Sequence, residues 1–340
     1  MRKILDKLLS GEHLTKEEAR EYMEQIIQGS IPPHQVTAFI VGLKILKETP
    51  DEITGMAQAM RDNVDLFLNV TEPLLDTCGT GGDGIGTINV STASALIAAT
   101  GGIKVAKHGN RAVSGKSGSA DVLEALGIPI QYNLTQLKEV LAKENIAFLY
   151  APIFHQGMKH AAPSRKELGV RTVFNLLGPL SNPLKAEFQV IGVYHHDLTE
   201  TIAAVVKELG VKKALIVAGL DGMDEITTTT KTKITELKEG NINTFFVNPE
   251  DLNVPRANLA DLIGGTASEN REELLKIFSG KKGPKRDLIA VNAGAGFYVM
   301  GKANDLVEGV QMAKDLLDSG EVYQKVIRLK NLFKKTGETS

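Results

Sequence analysis

Asp76-Thr77-Cys78-Gly79-Thr80-Gly81-Gly82-Asp83-Gly84-Ile85-Gly86-Thr87-Ile88-Asn89-Val90-Ser91-Thr92 joins an apolar stub, Leu74-Leu75, to an apolar helical stretch from Ala93 to Ala99. Five glycines fall within the eight residues 79–86. Glycine at that density costs backbone entropy, so a plain connection does not need it. It lets the main chain approach a ligand and turn its N–H groups inward. Asn89, Ser91 and Thr92 then open the helix, where free N–H groups and the helix dipole favour an anion. The stretch therefore reads as a cradle for a phosphorylated ligand, set between a strand and a helix.

Within it, Gly79-x-Gly81-x-x-Gly84 matches a dinucleotide fingerprint. That fold wants an acidic residue about 20 positions on, at the end of the second strand. Here the next strand, read as Ile103 to Ala106, ends in Lys107-His108. A basic strand end suits more phosphate, not a ribose diol.

Working outward, the first 70 residues read as helices. Thr15-x-x-Glu18 is a capping box, followed by Ala19, Tyr22, Met23 and Ile26 at helical spacing. Thr49-Pro50-Asp51-Glu52 is a second start signal, and Pro32-Pro33 leads into Val36 to Leu46. From Leu74 onward, short apolar runs alternate with helical stretches. The runs are Ile103–Ala106, Ile146–Tyr150, Gln189–Tyr194, Ala214–Ala218 and Thr244–Val247. The helical stretches include Ser119–Leu126, Leu134–Lys143 and Thr199–Leu209. This is the pattern of an α/β fold with a mainly parallel sheet flanked by helices, beside a small all-helical unit.

The chain has 340 residues, enough for two domains, and a net charge of −2. No bulk attraction to nucleic acid or to an anionic membrane follows from that balance. The charged N-terminus is not a signal peptide, and no apolar run approaches the roughly 20 residues of a membrane span. Cys78 is the single cysteine, which excludes an internal disulfide and reads as a small buried filler. These features suit a cytoplasmic protein. The basic run Gly280 to Arg286 reads as a solvated loop, and the charged tail from Lys325 is expected to fray.

Three further stretches carry chemistry. Lys107 to Ser119 holds three fixed cations, three serines and three glycines in 13 residues. Gly115-Lys116-Ser117 invites a Walker A reading, but Gly109 stands one residue too far upstream. What survives is a loop of cations and hydroxyls suited to phosphate oxygens. Gly219 to Glu225 places Asp224 and Glu225 after a buried-looking strand. Beside phosphate loops, such carboxylates suit Mg²⁺, with the Ser91 hydroxyl as a third contact. In the stretch from Phe154 to Thr172, His155 and His160 are five apart, poorly spaced for one metal on a helix face. Arg165, after Pro163, suits a bidentate grip on a carboxylate; otherwise it makes a surface ion pair.

Taken together these stretches resemble the anthranilate phosphoribosyltransferase family. The resemblance runs through Asp76–Thr92, Lys107–Arg111, Gly118–Gly127, Arg171–Leu180 and Asp221-Gly222-Met223-Asp224-Glu225, in the family's order. It implies transfer of phosphoribose from phosphoribosyl pyrophosphate to anthranilate in tryptophan biosynthesis, Mg²⁺ with two ions per subunit, and a homodimer. It also implies that a segment near residues 163–184 joins residues 1–70 in the helical domain, leaving 71–162 and 185–340 as the large α/β domain. Gly79, Gly82, Asp83, Thr87, Asn89, Val90, Ser91, Thr92, Lys107, His108, Gly109, Asn110, Arg111, Ala112, Val113, Ser114, Gly115 and Ser119 would hold the pyrophosphate substrate. Gly79, Asn110 and Arg165 would contact anthranilate, and Ser91, Asp224 and Glu225 would serve the metal. Lys107, Asn110 and Arg165 would position the substrates and stabilise the transition state. Ile88 stands where an aromatic is common, and Gly115 where serine is common. No convincing general base is visible, and His108 is a poor candidate. Pyrimidine nucleoside phosphorylases share the general architecture but use inorganic phosphate, with less need of an acidic pair for metal-bound pyrophosphate. A nucleic-acid-binding homologue predicts a basic groove and loss of that pair.

Overall fold

The computed structural model describes residues 2–64, 68, 70–112 and 115–332. Seven strands form one sheet: β1 (Leu75–Gly79), β2 (Val105–Gly109), β3 (Ile146–Tyr150), β4 (Phe188–Gly192), β5 (Lys213–Gly219), β6 (Thr232–Lys238) and β7 (Asn241–Val247). Their spatial order is β3-β2-β1-β4-β5-β6-β7. The first five run parallel, while β6 and β7 run antiparallel. Strand order reverses between β1 and β4, and crevices outside the carboxyl ends of strands at such a reversal are where ligands bind.

The parallel part of the sheet is buried on both faces, as parallel sheets are, while edge strand β7 is largely exposed. Along β5, Leu215 and Val217 enter one apolar core while Ala214, Ile216 and Ala218 enter the other. The first core lies under helices Val90–Thr100 and Pro284–Val299. The second is shared with the N-terminal helices Lys16–Ile27, Pro33–Leu46 and Pro50–Asp62. The expected capping box of Thr15 with Glu18 forms there, and the second start signal is a capping box too, Thr49 with Glu52. Helix Val173–Leu180 contributes Val173, Phe174, Leu176, Leu177 and Leu180 to this second core. Among the described residues, no helix is long and apolar enough to cross a membrane.

Four local readings need correction. The second strand is shifted to Val105–Gly109, so Lys107 and His108 lie inside it and are buried. The hairpin partner β6 is absent from the sequence reading; its β-branched Thr232, Ile234 and Thr235 and the closing Glu239-Gly240 turn are the signals that mark it. The basic run 280–286 is not simply a solvated loop. Pro284 starts a helix, and buried Arg286 donates to Asp318 at 2.7 Å. The tail is helical to Leu332, with buried Lys325 donating to the Glu144 carbonyl at 2.9 Å; residues 333–340 lie outside the described residues.

Candidate active site

Four of the five parallel strands end in glycine: Gly79, Gly109, Gly192 and Gly219. Gly79 and Gly192 are register partners across the β1/β4 junction. Their shared reason is close approach. The turn carrying Asp224 and Glu225 lies directly on them. A Cβ on Gly192 would meet the Asp224 carbonyl oxygen at 1.5 Å, and one on Gly79 would meet Asp224 Oδ2 at 2.5 Å. That turn is itself braced by Asp221, which accepts from Met223 N and from the Thr227 and Thr229 hydroxyls.

The glycine loop then closes over the acidic turn. Gly81, Gly82, Gly84 and Gly86 take φ of 64°, 72°, 78° and 72°, conformations that other residues rarely adopt. Gly81 N donates to Asp224 Oδ2 at 2.7 Å, and Thr80 N donates to the Gly192 carbonyl at 2.9 Å. Burial pushes the Asp224 carboxyl up to about 7, helped by the nearby Asp83 charge. Burial, then the Asp224 charge, holds Glu225 well above its ordinary value, although the Lys107 charge and the Ser91 backbone hydrogen bond oppose this. Among the described residues, no cation lies within ion-pair distance of either acid. These hard oxygen donors are desolvated, and the Lys107 charge that acts on Glu225 forms no direct ion pair with it, so they fit Mg²⁺.

Lys107 lies beneath this cradle. Its Nζ donates to the Thr77 carbonyl at 2.6 Å and to Ser91 Oγ at 3.3 Å. Asp76, also buried, accepts from Asn182 Nδ2 at 2.7 Å and from His108 N at 3.2 Å. Burial raises the Asp76 carboxyl to about 6 and lowers the Lys107 ammonium. His108 Nδ1 lies 3.1 Å from the Gly178 carbonyl and His155 Nε2 lies 2.9 Å from the Ser181 carbonyl, so each of those nitrogens donates. Burial pulls His108 down to about 3 and His155 to about 4. Both rings stay neutral at pH 7, and so acidic a conjugate acid makes His108 a poor base.

The second loop is joined to the first by Asn89. Its Nδ2 donates to the Ser117 carbonyl at 3.0 Å, and its Oδ1 accepts from Asn270 Nδ2 at 2.9 Å. Asp121 holds the loop's shape by accepting from Ala112 N and Gly118 N. Ser119 Oγ donates to the Asn110 carbonyl, and Asn110 Oδ1 accepts from Arg111 N. Arg111 forks onto Asp121 and Glu124 and donates to Tyr150 Oη, so its cation is already partnered. Gly115 is exposed; Val113 and Ser114 lie outside the described residues.

Thus Gly79, Gly82, Asp83, Ser91, Lys107, Asp224 and Glu225 gather at the β1/β4 junction, with Thr87, Asn89, Val90 and Thr92 leading into the helix behind them. Arg165 stands apart, its guanidinium 5.3 Å from the Phe174 ring centroid, with no carboxylate partner among the described residues. The alternative of a surface ion pair is therefore not formed. Arg171, part of a motif but without a role in the sequence reading, lies over Tyr194 at 4.9 Å, and its Nε would stand 3.6 Å from a Cβ on Gly82. Asp76, Asn182, Gly192, Asp221 and Asn270 are likewise site residues that the sequence reading leaves without a role. A polar residue inside a buried strand, as at Asp76, is the one visible signal.

Family models match both parts of the chain: a glycosyl transferase family helical bundle domain over residues 2–64 and a glycosyl transferase family a/b domain over residues 71–323. Anthranilate phosphoribosyltransferase of Acetivibrio thermocellus is 48% identical over 326 residues, 96% of this chain and 94% of the relative. The crystal structure of anthranilate phosphoribosyltransferase from Thermus thermophilus superposes with a TM-score of 0.92 at 41% identity, covering 97% of this chain and 99% of that one. The Saccharomyces cerevisiae protein of the same name, in complex with PRPP and Mg, superposes with a TM-score of 0.89 at 27% identity, covering 98% and 97%. With near-complete coverage in both directions and the glycine-seated acidic pair in place, this chain belongs to the anthranilate phosphoribosyltransferase family.

Proposed function

We propose that this chain transfers the phosphoribosyl group of phosphoribosyl pyrophosphate to the amine of anthranilate, releasing pyrophosphate, in the tryptophan pathway. The observation that carries this reading is the unpaired Asp224-Glu225 turn seated on Gly79 and Gly192 beneath a glycine loop. A pyrophosphate leaving group needs a cation there; a free phosphate acceptor does not need one to the same degree.

In the reaction the bond from the anomeric carbon to the pyrophosphate oxygen breaks, and a bond to the anthranilate nitrogen forms. Asp224, Glu225 and Ser91 would hold Mg²⁺, two ions per subunit, and the ions would supply positive charge to offset that on the departing pyrophosphate. The remaining work belongs to the chain. Backbone N–H groups between Gly79 and Thr92 orient the substrate, with Asp83, Asn89 and the loop Lys107–Ser119 around it. Lys107 acts from below, buried in β2, and places positive charge under the cradle without leaving its backbone partner. Arg165 orients the anthranilate carboxylate, and Gly79 and Asn110 complete that site. An arylamine is neutral at pH 7, so no strong base is needed before attack, and the nitrogen loses its proton to solvent afterwards. Orientation alone can supply roughly 7–11 kcal/mol.

The helical domain is proposed to combine residues 1–70 with 163–184, because Val173, Phe174 and Leu177 share the core of Tyr22, Phe39 and Met56. Residues 71–162 and 185–340 form the catalytic domain, and the two bodies close on paired substrates; small-angle scattering would detect no contraction if they do not. A cytoplasmic homodimer is proposed through helices Arg2–Leu9 and Pro33–Leu46. Leu9 (81% exposed) and Ile45 (74%) leave an apolar face uncovered there. An Ile45→Asp variant that still sediments as a dimer would exclude that face.

The direct test follows loss of anthranilate fluorescence with phosphoribosyl pyrophosphate and Mg²⁺, omitting each in turn. Activity only with all three is expected. Phosphorolysis of thymidine or uridine instead would overturn the assignment.

A further inference from the structure

Immediately beyond β4 the chain reads His195-His196-Asp197. These histidines take no part in the site described above. On a continuing strand their side chains would point to opposite faces. The backbone changes here: His195 is extended (φ −147°, ψ 132°), and His196–Leu198 turns into a short 3₁₀ segment. The turn brings both rings to one side, stacked with centroids 4.6 Å apart and planes 19° apart. It also carries Asp197 to both of them. His195 Nδ1 lies 3.6 Å from one Asp197 carboxylate oxygen, and His196 Nε2 lies 3.4 Å from the other. One donor atom from each residue falls within 4.8 Å of the others.

We propose that His195, His196 and Asp197 form a surface binding site for a divalent transition ion of the Zn²⁺, Co²⁺ or Ni²⁺ class. Bonds of about 2.0–2.2 Å to nitrogen and oxygen set neighbouring donors of a tetrahedral shell about 3.4 Å apart. Each nitrogen lies close to that value from its own Asp197 oxygen, and rotation of the rings and of the carboxylate would bring one donor from each residue, now within 4.8 Å of one another, onto a single ion. The one contact given up is weak: Asp197 N donates to His195 Nδ1 at 3.3 Å. All three side chains are exposed, at 53%, 44% and 75%, so an ion enters without opening the fold and water completes its coordination.

Donor chemistry separates this site from the acidic turn. Asp224 and Glu225 offer oxygen only, which suits Mg²⁺. Two imidazoles and one carboxylate favour the later ions of the first transition row. The two sites are near neighbours in the chain, since His195 stands three residues after Gly192. Tyr194 N, between them, donates to Thr80 Oγ1 at 3.1 Å. An ion on His195 therefore braces the segment that holds one end of the glycine loop, while sharing no ligand with the acidic turn.

The test is a Co²⁺ titration of the full chain, free of any affinity tag, in excess Mg²⁺ and read by visible absorption. One Co²⁺ per chain with nitrogen-ligand bands is expected. His195→Ala and His196→Ala should each weaken binding by about 10-fold or more. Asp197→Asn should weaken it less. Asp224→Asn combined with Glu225→Gln should leave it intact. Unchanged Co²⁺ binding in the double variant His195→Ala/His196→Ala overturns the proposal. Loss of the bands in Asp224→Asn/Glu225→Gln does so equally, because it moves the ion to the acidic turn. The three residues are exposed, so unchanged circular dichroism should accompany their substitution.

Discussion

Among the described residues, Asp224 and Glu225 have no cation within ion-pair distance where they sit on the ends of β1 and β4, whereas Arg111, just past the end of β2, is held by Asp121, Glu124 and Tyr150. The two clusters border one cleft and are built in opposite ways. The acids are desolvated and mutually repelling, so the folded chain carries them at a cost that a bound cation relieves. The arginine is exposed and already neutralised, so its first task is to shape a loop. Charge left unpaired therefore points to ligand, and charge paired within the chain points to scaffold. Arg165 belongs with the acids in this respect, since among the described residues it has no carboxylate partner and lies over the Phe174 ring.

The comparison breaks most severely at Gly192. A methyl group there would collide with the Asp224 backbone, not with a side chain free to swing away. Gly192→Ala should displace the whole acidic turn, and a displacement near 1 Å costs about 100-fold in turnover. Gly79→Ala meets the movable carboxylate and should cost less in stability while still reducing Mg²⁺ affinity. Steady-state rates and Mg²⁺ titrations of both variants, compared on correctly folded protein, check the ranking. Equal, near-native activity would show that the turn is not fixed by these glycines.

Asp224→Asn with Glu225→Gln sharpens the same contrast from the electrostatic side. Turnover at limiting Mg²⁺ should fall by about 100-fold or more. Stability should move the other way. The folded Asp224 carboxyl titrates near 7 against an ordinary 3.8, so the folded chain retains a proton that the unfolded chain has released across that window. The stability this confers on the metal-free chain is full below 3.8 and is lost as pH rises through about 7. The amide pair removes that loss. The metal-free variant should melt about 2 °C or more above its parent at pH 7.5, with the gap closing toward pH 4. Mg²⁺ should raise the parent's melting temperature more at pH 7.5 than at pH 5.5, because protons compete for the same oxygens. A variant that melts lower than its parent at pH 7.5 would mean that the acids are stabilised by partners within the chain.

Much of this is legible in the sequence, and the boundary has a physical cause. Loop glycines, helix caps and the acidic pair are local signals, and all three read in place. The sheet class follows from alternating apolar runs. The reason for Gly79 is not local. It follows from a turn 145 positions later that packs on its Cα, which only the strand order β1-β4-β5 brings there. Lys107 reads as a loop cation because a buried lysine in a strand is rare; its carbonyl partner on β1 is a tertiary fact. The pairing of Arg111 is hidden for the same reason, although Asp121 and Glu124 lie on the next helix. The hairpin β6–β7 is a different case, since its β-branched positions and its turn residues are both local and only the β7 half enters the sequence reading.

Arg165→Ala is expected to have a moderate effect. Burial beside Phe174 lowers the guanidinium's hold on its proton without supplying a counter-ion, so the side chain is available to a carboxylate. Losing a charge-assisted contact of about 1.5–3 kcal/mol should raise the KM for anthranilate by about 10-fold or more, with little change in the KM for phosphoribosyl pyrophosphate. The reverse pattern would place Arg165 on the phosphate side of the cleft.

Arg111→Ala should have the smallest effect, because its guanidinium is exposed and its ion pairs are to half-buried Asp121 and exposed Glu124 on the next helix. Exposed ion pairs contribute little each, and water can replace them. Asp121 would still accept from Ala112 N and Gly118 N, so the loop keeps its backbone anchor. The expected change is a KM for phosphoribosyl pyrophosphate raised by about threefold or less, with kcat near that of the parent. Asp121→Ala removes the backbone anchor itself and should exceed it in the same assay. If Arg111→Ala instead lowers kcat as far as the acidic double variant does, the guanidinium leaves its acids for the substrate during turnover, and pairing within the free chain is no guide to which charges are scaffold.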